Sequence, residues 1–192
     1  MSIENFLNIH QIETSSRANG PGTRTVIWLQ GCTLACPGCF NPETHPSGKG
    51  EEMDWKDLSQ NLIHQSKAIE GITISGGEPL QQASSLKPFL SVIRNQSNLS
   101  IILFTGYSWK EILNNAEYYT IVKLTDVVLA GRYNQKKRTA RSLIGSSNKT
   151  MHFMTRRYDS LDFEAIPEAE VLISEDGTIT YTGIDPLRHA PS

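Results

Sequence analysis

All three cysteines of the 192-residue chain fall inside eight residues, Cys32-Thr-Leu-Ala-Cys36-Pro-Gly-Cys39. An odd, clustered set of this kind cannot complete an intrachain disulfide framework, so the segment reads as a ligand set whose backbone the fold must hold in place. Pro37 and Gly38 turn the chain back between the second and third thiols. The run Thr25 to Gln30 (TVIWLQ) reads as a strand that delivers the chain directly into this loop, which puts soft donors at the carboxyl end of a strand.

The rest of the chain alternates short β-branched runs with longer amphipathic stretches, the pattern of an α/β fold with a largely parallel sheet. Asp54 is placed to cap a helix running to about Glu70. Ile72 to Ser75 reads as a second strand running into Gly76, Gly77 and Glu78, with Pro79 stopping it. A helix is expected from about Ser84 to Asn95 and a third strand over Ser100 to Thr105. Ser108 and Glu111 fit a capping box that opens a helix to about Asn115. Asp126 to Ala130 is a fourth strand. Residues from about 132 to 165 show no clear pattern, while Val171 to Ser174 and Thr178 to Thr182 alternate around Glu175-Asp176-Gly177 as a hairpin.

Composition excludes several classes. The apolar fraction of 38% and charged fraction of 20% suit one globular domain. A net charge of −2 gives no footprint for nucleic acid. No apolar run approaches the ~20 residues of a membrane span, and the N-terminus lacks the pattern of a signal peptide. The expectation is a cytoplasmic protein without nucleic-acid or membrane partners, a single domain over 1–192 with a core at about 19–150 and a C-terminal extension at about 151–192. The basic run Arg132, Lys136, Lys137, Arg138 and Arg141 reads first as a solvated loop and second as a surface for an acidic partner.

Thiolates favour zinc or iron-sulfur clusters over hard cations. Structural zinc normally closes with four protein ligands and a four-iron cluster is usually held by four cysteines. Three cysteines leave one position open, the mark of a reactive centre, unless His45 closes a Cys3His zinc site.

The Cys32-x3-Cys36-x2-Cys39 spacing, with Phe40 following, together with Gly76-Gly77-Glu78-Pro79 after a strand, is similar to the signature of the radical S-adenosylmethionine (SAM) superfamily. The resemblance implies a partial (incomplete) βα barrel with the C-terminal β-hairpin appended. It implies a [4Fe-4S] cluster on Cys32, Cys36 and Cys39 that binds SAM at its fourth iron. It places the SAM amino group on Gly76, Gly77 and Glu78, with Thr105 as a nearby polar contact and no catalytic residue beyond the cluster and SAM. The narrower order Asn19-Gly-Pro-Gly-Thr-Arg24, the cysteine loop through Phe40-Asn41, Ser75 to Pro79, Thr105-Gly-Tyr107 and Gly145-Ser-Ser-Asn148 resembles activating enzymes of the anaerobic ribonucleotide reductase. Those relatives usually carry an acidic residue near the end of the fourth strand, where this chain has Ala130. The implied reaction is reductive cleavage of SAM to a 5'-deoxyadenosyl radical that installs a glycyl radical on a partner enzyme, with an electron donor such as flavodoxin. The alternatives are a radical SAM enzyme for a small molecule or peptide, such as a deazapurine synthase, and a non-catalytic zinc or electron-transfer module.

Overall fold

The computed structural model describes residues 5–173 and 176–184. In chain order the elements are β1 (Phe6–Ser16), β2 (Arg24–Leu29), β3 (Glu51–Asp54), α1 (Trp55–His64), β4 (Gly71–Gly76), α2 (Ala83–Gln96), β5 (Ser100–Thr105), α3 (Trp109–Leu113), α4 (Ala116–Val122) and β6 (Val127–Ala130). They are followed by β7 (Arg138–Arg141), β8 (Ile144–Ser146), β9 (Thr150–Phe153), α5 (Ser160–Glu164), β10 (Ala169–Ile173) and β11 (Ile179–Gly183). The result is a mixed α/β fold around a seven-stranded sheet of order β3-β1-β2-β4-β5-β6-β9.

The four central strands, β2, β4, β5 and β6, run parallel, whereas β1, β3 and β9 join antiparallel. The sheet is therefore mixed and not largely parallel. Strand direction at an edge depends on pairing across the fold, and local hydropathy does not encode it. The central strands are apolar on both faces because both are covered. Ile101, Leu103, Val128 and Ala130 join the main core with Leu86, Phe89, Leu90 and Ile93 of α2. Ile102, Val127 and Leu129 face a second cluster with Leu143 and Phe163.

Local signals set several boundaries. Asp54 accepts a hydrogen bond from the Lys56 amide at 2.7 Å and caps α1. Ser108 and Glu111 form the expected capping box. Helix α1 stops at His64 and not near Glu70, because the chain turns through Gln65 to Ala68 and the Glu70 amide already donates to the Thr23 carbonyl. The helix opened by Ser108 ends at Leu113 with its C-cap at Asn114, next to the expected end at about Asn115. The Asn115 side chain accepts from the Glu117 and Tyr118 amides and starts α4.

Strands β10 and β11 pair antiparallel, Val171 opposite Tyr181 and Ile173 opposite Ile179. Ser174, the end of the first expected hairpin strand, Glu175, the start of the expected turn, and the end of the expected extension from 185 on lie outside the described residues. Among the described residues no helix is long and apolar enough to cross a membrane.

Candidate cluster and SAM site

The site forms where β2 and β4 end side by side. The Gly77 amide donates to the Leu29 carbonyl at 2.7 Å, and the Glu78 amide to the Gly31 carbonyl at 2.9 Å. The two glycines make that approach possible. A Cβ on Gly77 would stand 2.2 Å from the Gly31 oxygen, and Gly76 has φ +99 with a Cβ position 2.4 Å from the Leu29 nitrogen. Their small size lets two strand ends meet, where the sequence alone points to the approach of a ligand.

The cysteine loop leaves from this junction. The Cys32 amide donates to the His45 carbonyl at 3.0 Å and the Cys39 amide to the Cys36 carbonyl at 3.1 Å. Left-handed backbone at Ala35 (φ 46) and Gly38 (φ 70) folds the loop back on itself. Gln81 clamps it from below, donating to Thr33 Oγ1 at 2.7 Å and accepting from the Thr33 amide at 3.1 Å. All three cysteines are free and half-buried. Burial pushes the Cys32 and Cys39 thiols up from their ordinary range.

Cys32, Cys36 and Cys39 line one cavity of about 250 Å³ together with Gly76, Gly77, Glu78 and Thr105. Glu78 is fully buried. Its Oε1 accepts from Thr105 Oγ1 at 2.7 Å and from the Leu80 amide at 3.0 Å, and Oε2 accepts from the Gly106 amide at 2.7 Å. Burial outweighs these three bonds and raises the carboxyl to about 7. Thr105 spends its proton on Glu78 and accepts from the Tyr107 amide at 3.1 Å, so it holds the carboxylate in place.

Lys149 is the residue that sequence reasoning missed. It lines the same cavity. Burial lowers its ammonium from the ordinary lysine value, while Glu78, Cys36 and Cys39 pull it back up. The signal was its place next to Asn148, at the end of the Gly145 segment. That segment supports the cysteine loop through close packing, since a Cβ on Gly145 would lie 2.7 Å from the Phe40 ring, which itself packs 4.5 Å from Tyr133. Asn148 donates to the Arg132 carbonyl at 2.9 Å.

The basic run is not a uniform patch. Arg132 is engaged by Glu111 at 2.6 and 2.9 Å, and Arg138 lies 5.1 Å over the Phe40 ring. Ala130 is buried in the main core and pairs with Thr150.

The donor set fits a cluster. Among the described residues no three His, Cys, Asp or Glu side chains converge as a single metal ion would need, His45 included. Three soft thiols spread along one turn beside a cavity suit a centre in which each cysteine holds a different iron.

A family model described as a 4Fe-4S single cluster domain matches residues 18–152. The anaerobic ribonucleoside-triphosphate reductase-activating protein of Escherichia coli (strain K12) is 32% identical over 160 residues, 77% of this chain and 99% of that protein. This chain belongs to the radical SAM glycyl-radical activase family. It is an enzyme whose cofactors are a [4Fe-4S] cluster and SAM. The activase is also similar to the corresponding protein of Enterobacteria phage T4, 29% identical over 149 residues, 76% of this chain and 93% of that protein. The pyruvate formate-lyase-activating enzyme of Clostridium pasteurianum is 35% identical over 125 residues, 63% of this chain and 50% of that protein. The activase thus matches half the length of that relative.

Proposed function

We propose that this activase generates a glycyl radical on an anaerobic ribonucleotide reductase, working in the cytoplasm with a low-potential electron donor such as flavodoxin. The observation that carries the reading is one cavity bounded by three free thiols and by a buried carboxylate on the adjoining strand end. The likeness to two reductase-activating proteins, which spans 93% and 99% of their lengths, supports this choice of partner.

When bound, the cluster supplies the single electron that cleaves SAM. Cys32, Cys36 and Cys39 lose their protons to hold it, against the burial that raises two of them. Glu78 receives the ammonium of the SAM amino-acid group, and the Gly76-Gly77 backbone shapes the floor beside it. Thr105 and the Gly106 amide keep the Glu78 carboxylate aimed. Lys149 offers a cation to the carboxylate of the same zwitterion, so one cavity holds complementary charges for both ends of an amino acid. The hydrogen to be abstracted is on a glycine Cα of the partner. Among the described residues the seven-stranded sheet ends at β3 and β9, and we read it as an incomplete barrel whose open side admits a protein loop.

The test is anaerobic incubation of reconstituted activase with SAM, a reductant and a candidate reductase. A doublet in the electron paramagnetic resonance spectrum, lost when the partner's target glycine is replaced by alanine, supports the reading. Turnover of SAM with a small molecule and no radical on any glycyl-radical enzyme overturns it.

A further inference from the structure

The C-terminal hairpin lies beyond residue 152, where the match to the family domain ends. It nonetheless walls the cluster cavity, because Thr180 to Ile184 line the cavity together with the three cysteines. It is fastened there. Glu170 Oε2 accepts from Ser16 Oγ at 2.8 Å and from the Arg17 amide at 3.0 Å, and Asn19 donates to Thr182 Oγ1 at 2.8 Å.

Strand alternation gives this hairpin two unlike faces. Glu170, Leu172, Thr180 and Thr182 share the face that carries the latch. Val171, Ile173, Ile179 and Tyr181 share the other, and are 44%, 73%, 52% and 40% exposed. Cross-strand pairing puts Ile173 directly against Ile179 and Val171 against Tyr181, so the four make one contiguous apolar patch. Solitary exposed apolar side chains are ordinary, but a contiguous patch marks an interaction surface.

We propose that this outer face docks the protein that carries the target glycine, through an apolar segment flanking the loop that enters the cavity. Two observations select that occupant. Tyr181 belongs both to the exposed row and to the cavity wall, so the patch continues into the reaction chamber. Four side chains also fall well short of the roughly 800 Å² per partner of a stable interface, which suits a contact that supplements a loop seated in the cavity and not a self-dimer.

The inference rests on the activase reading, and the experiment separates the two. The variant I173T/I179T removes the apolar patch while keeping residues of high strand propensity, and neither isoleucine lines the cavity. Wild type and variant are compared for iron content, for SAM cleavage without partner, and for glycyl-radical formation as a function of purified partner concentration. The expected result is unchanged iron and unchanged partner-free SAM cleavage. The partner concentration for half-maximal radical formation should rise at least tenfold, with the plateau yield retained. An unchanged concentration dependence overturns the docking surface and leaves the activase reading standing. A wild-type protein that sediments as a dimer, and a variant that does not, assigns the patch to a second copy and overturns the proposal. A wild type that raises no radical on any glycyl-radical enzyme overturns the function first and the docking surface with it.

Discussion

At the scale of single residues, Glu78 carries a large electrostatic demand in the cavity. Its carboxyl is raised to about 7 from 4.5 by burial, against three hydrogen bonds that favour the ionised form. A group with a raised folded value contributes stability that is complete below its unfolded value and is lost as pH rises through the folded one. The ligand-free protein should therefore lose stability between pH about 4.5 and about 7, and Glu78→Gln should flatten that slope in thermal melts across the window. The same substitution keeps an acceptor oxygen for Thr105 and the Leu80 amide, turns an NH2 group towards the Gly106 amide, and removes the charge proposed to meet the SAM ammonium. SAM affinity should fall by roughly tenfold to a hundredfold, the worth of one charge-assisted hydrogen bond, with iron content unchanged. Equal affinity in equilibrium binding would remove Glu78 from the proposed role. The cysteines make the opposite prediction. Alanine at Cys32, Cys36 or Cys39 should abolish the roughly four irons and four sulfides of anaerobically reconstituted protein, because in the proposed site each thiolate would hold a different iron. Stoichiometric zinc without sulfide in the unmutated protein would sink that assignment.

Among the elements, the three thiols and Glu78 were legible because each sits beside a strand end whose residues are apolar on both faces, a pattern that local composition encodes. Lys149 was not. Its place in the cavity wall follows from β9 pairing antiparallel with β6, which carries the end of the Gly145 segment over the carboxyl edge of the sheet. Strand β1 was equally hidden, because register shifts between Ile9 and Gln11 and between Glu13 and Ser16 interrupt its alternation. Arg24 shows how a motif residue can act far from the chemistry. Fully buried at the start of β2, it donates to Thr73 Oγ1 at 2.9 Å, Ser100 Oγ at 2.8 Å and the Ile72 carbonyl at 2.7 Å. One guanidinium therefore ties β2, β4 and β5 together at the edge opposite the cysteines. Tyr158 closes the arrangement by donating to Glu70 at 2.6 Å, and Arg157 meets the same carboxylate at 2.8 Å. Arg24→Met should cost about 3 kcal/mol in urea unfolding, since it takes the donor from the buried acceptors Thr73 Oγ1, Ser100 Oγ and the Ile72 carbonyl. A loss below about 0.5 kcal/mol, the size of an ordinary surface change, would show that the network is dispensable.

For the molecule as a whole, the family domain at 18–152 is bracketed by two segments with different duties. Strand β1 precedes it and completes the sheet. Leu7 and Ile9 are buried in the main core, and the Asn8 carbonyl accepts from the Gln30 amide at 2.9 Å and from Gln82 Nε2 at 2.9 Å. These bonds hold the end of β2 just before Cys32. Removing residues 1–17 would expose the unpaired edge of β2, strip two residues from the core and free the strand end that positions the cysteine loop. The hairpin follows the domain and walls the cavity without entering either core cluster. Removing residues 169–192 deletes a wall and a latch, while the sheet and its helices keep their packing. The two truncations should therefore separate. Loss of 1–17 should yield aggregated protein or protein that retains little iron after reconstitution. Loss of 169–192 should leave the iron content and the far-ultraviolet circular dichroism of the sheet and helices close to those of the full chain. With the cavity opened to water on that side, the second truncation should also cleave SAM faster in the absence of partner, because the hairpin no longer shields the chamber. Iron lost on removing 169–192, or a normal cluster on removing 1–17, would reverse the assignment of which segment supports the cluster.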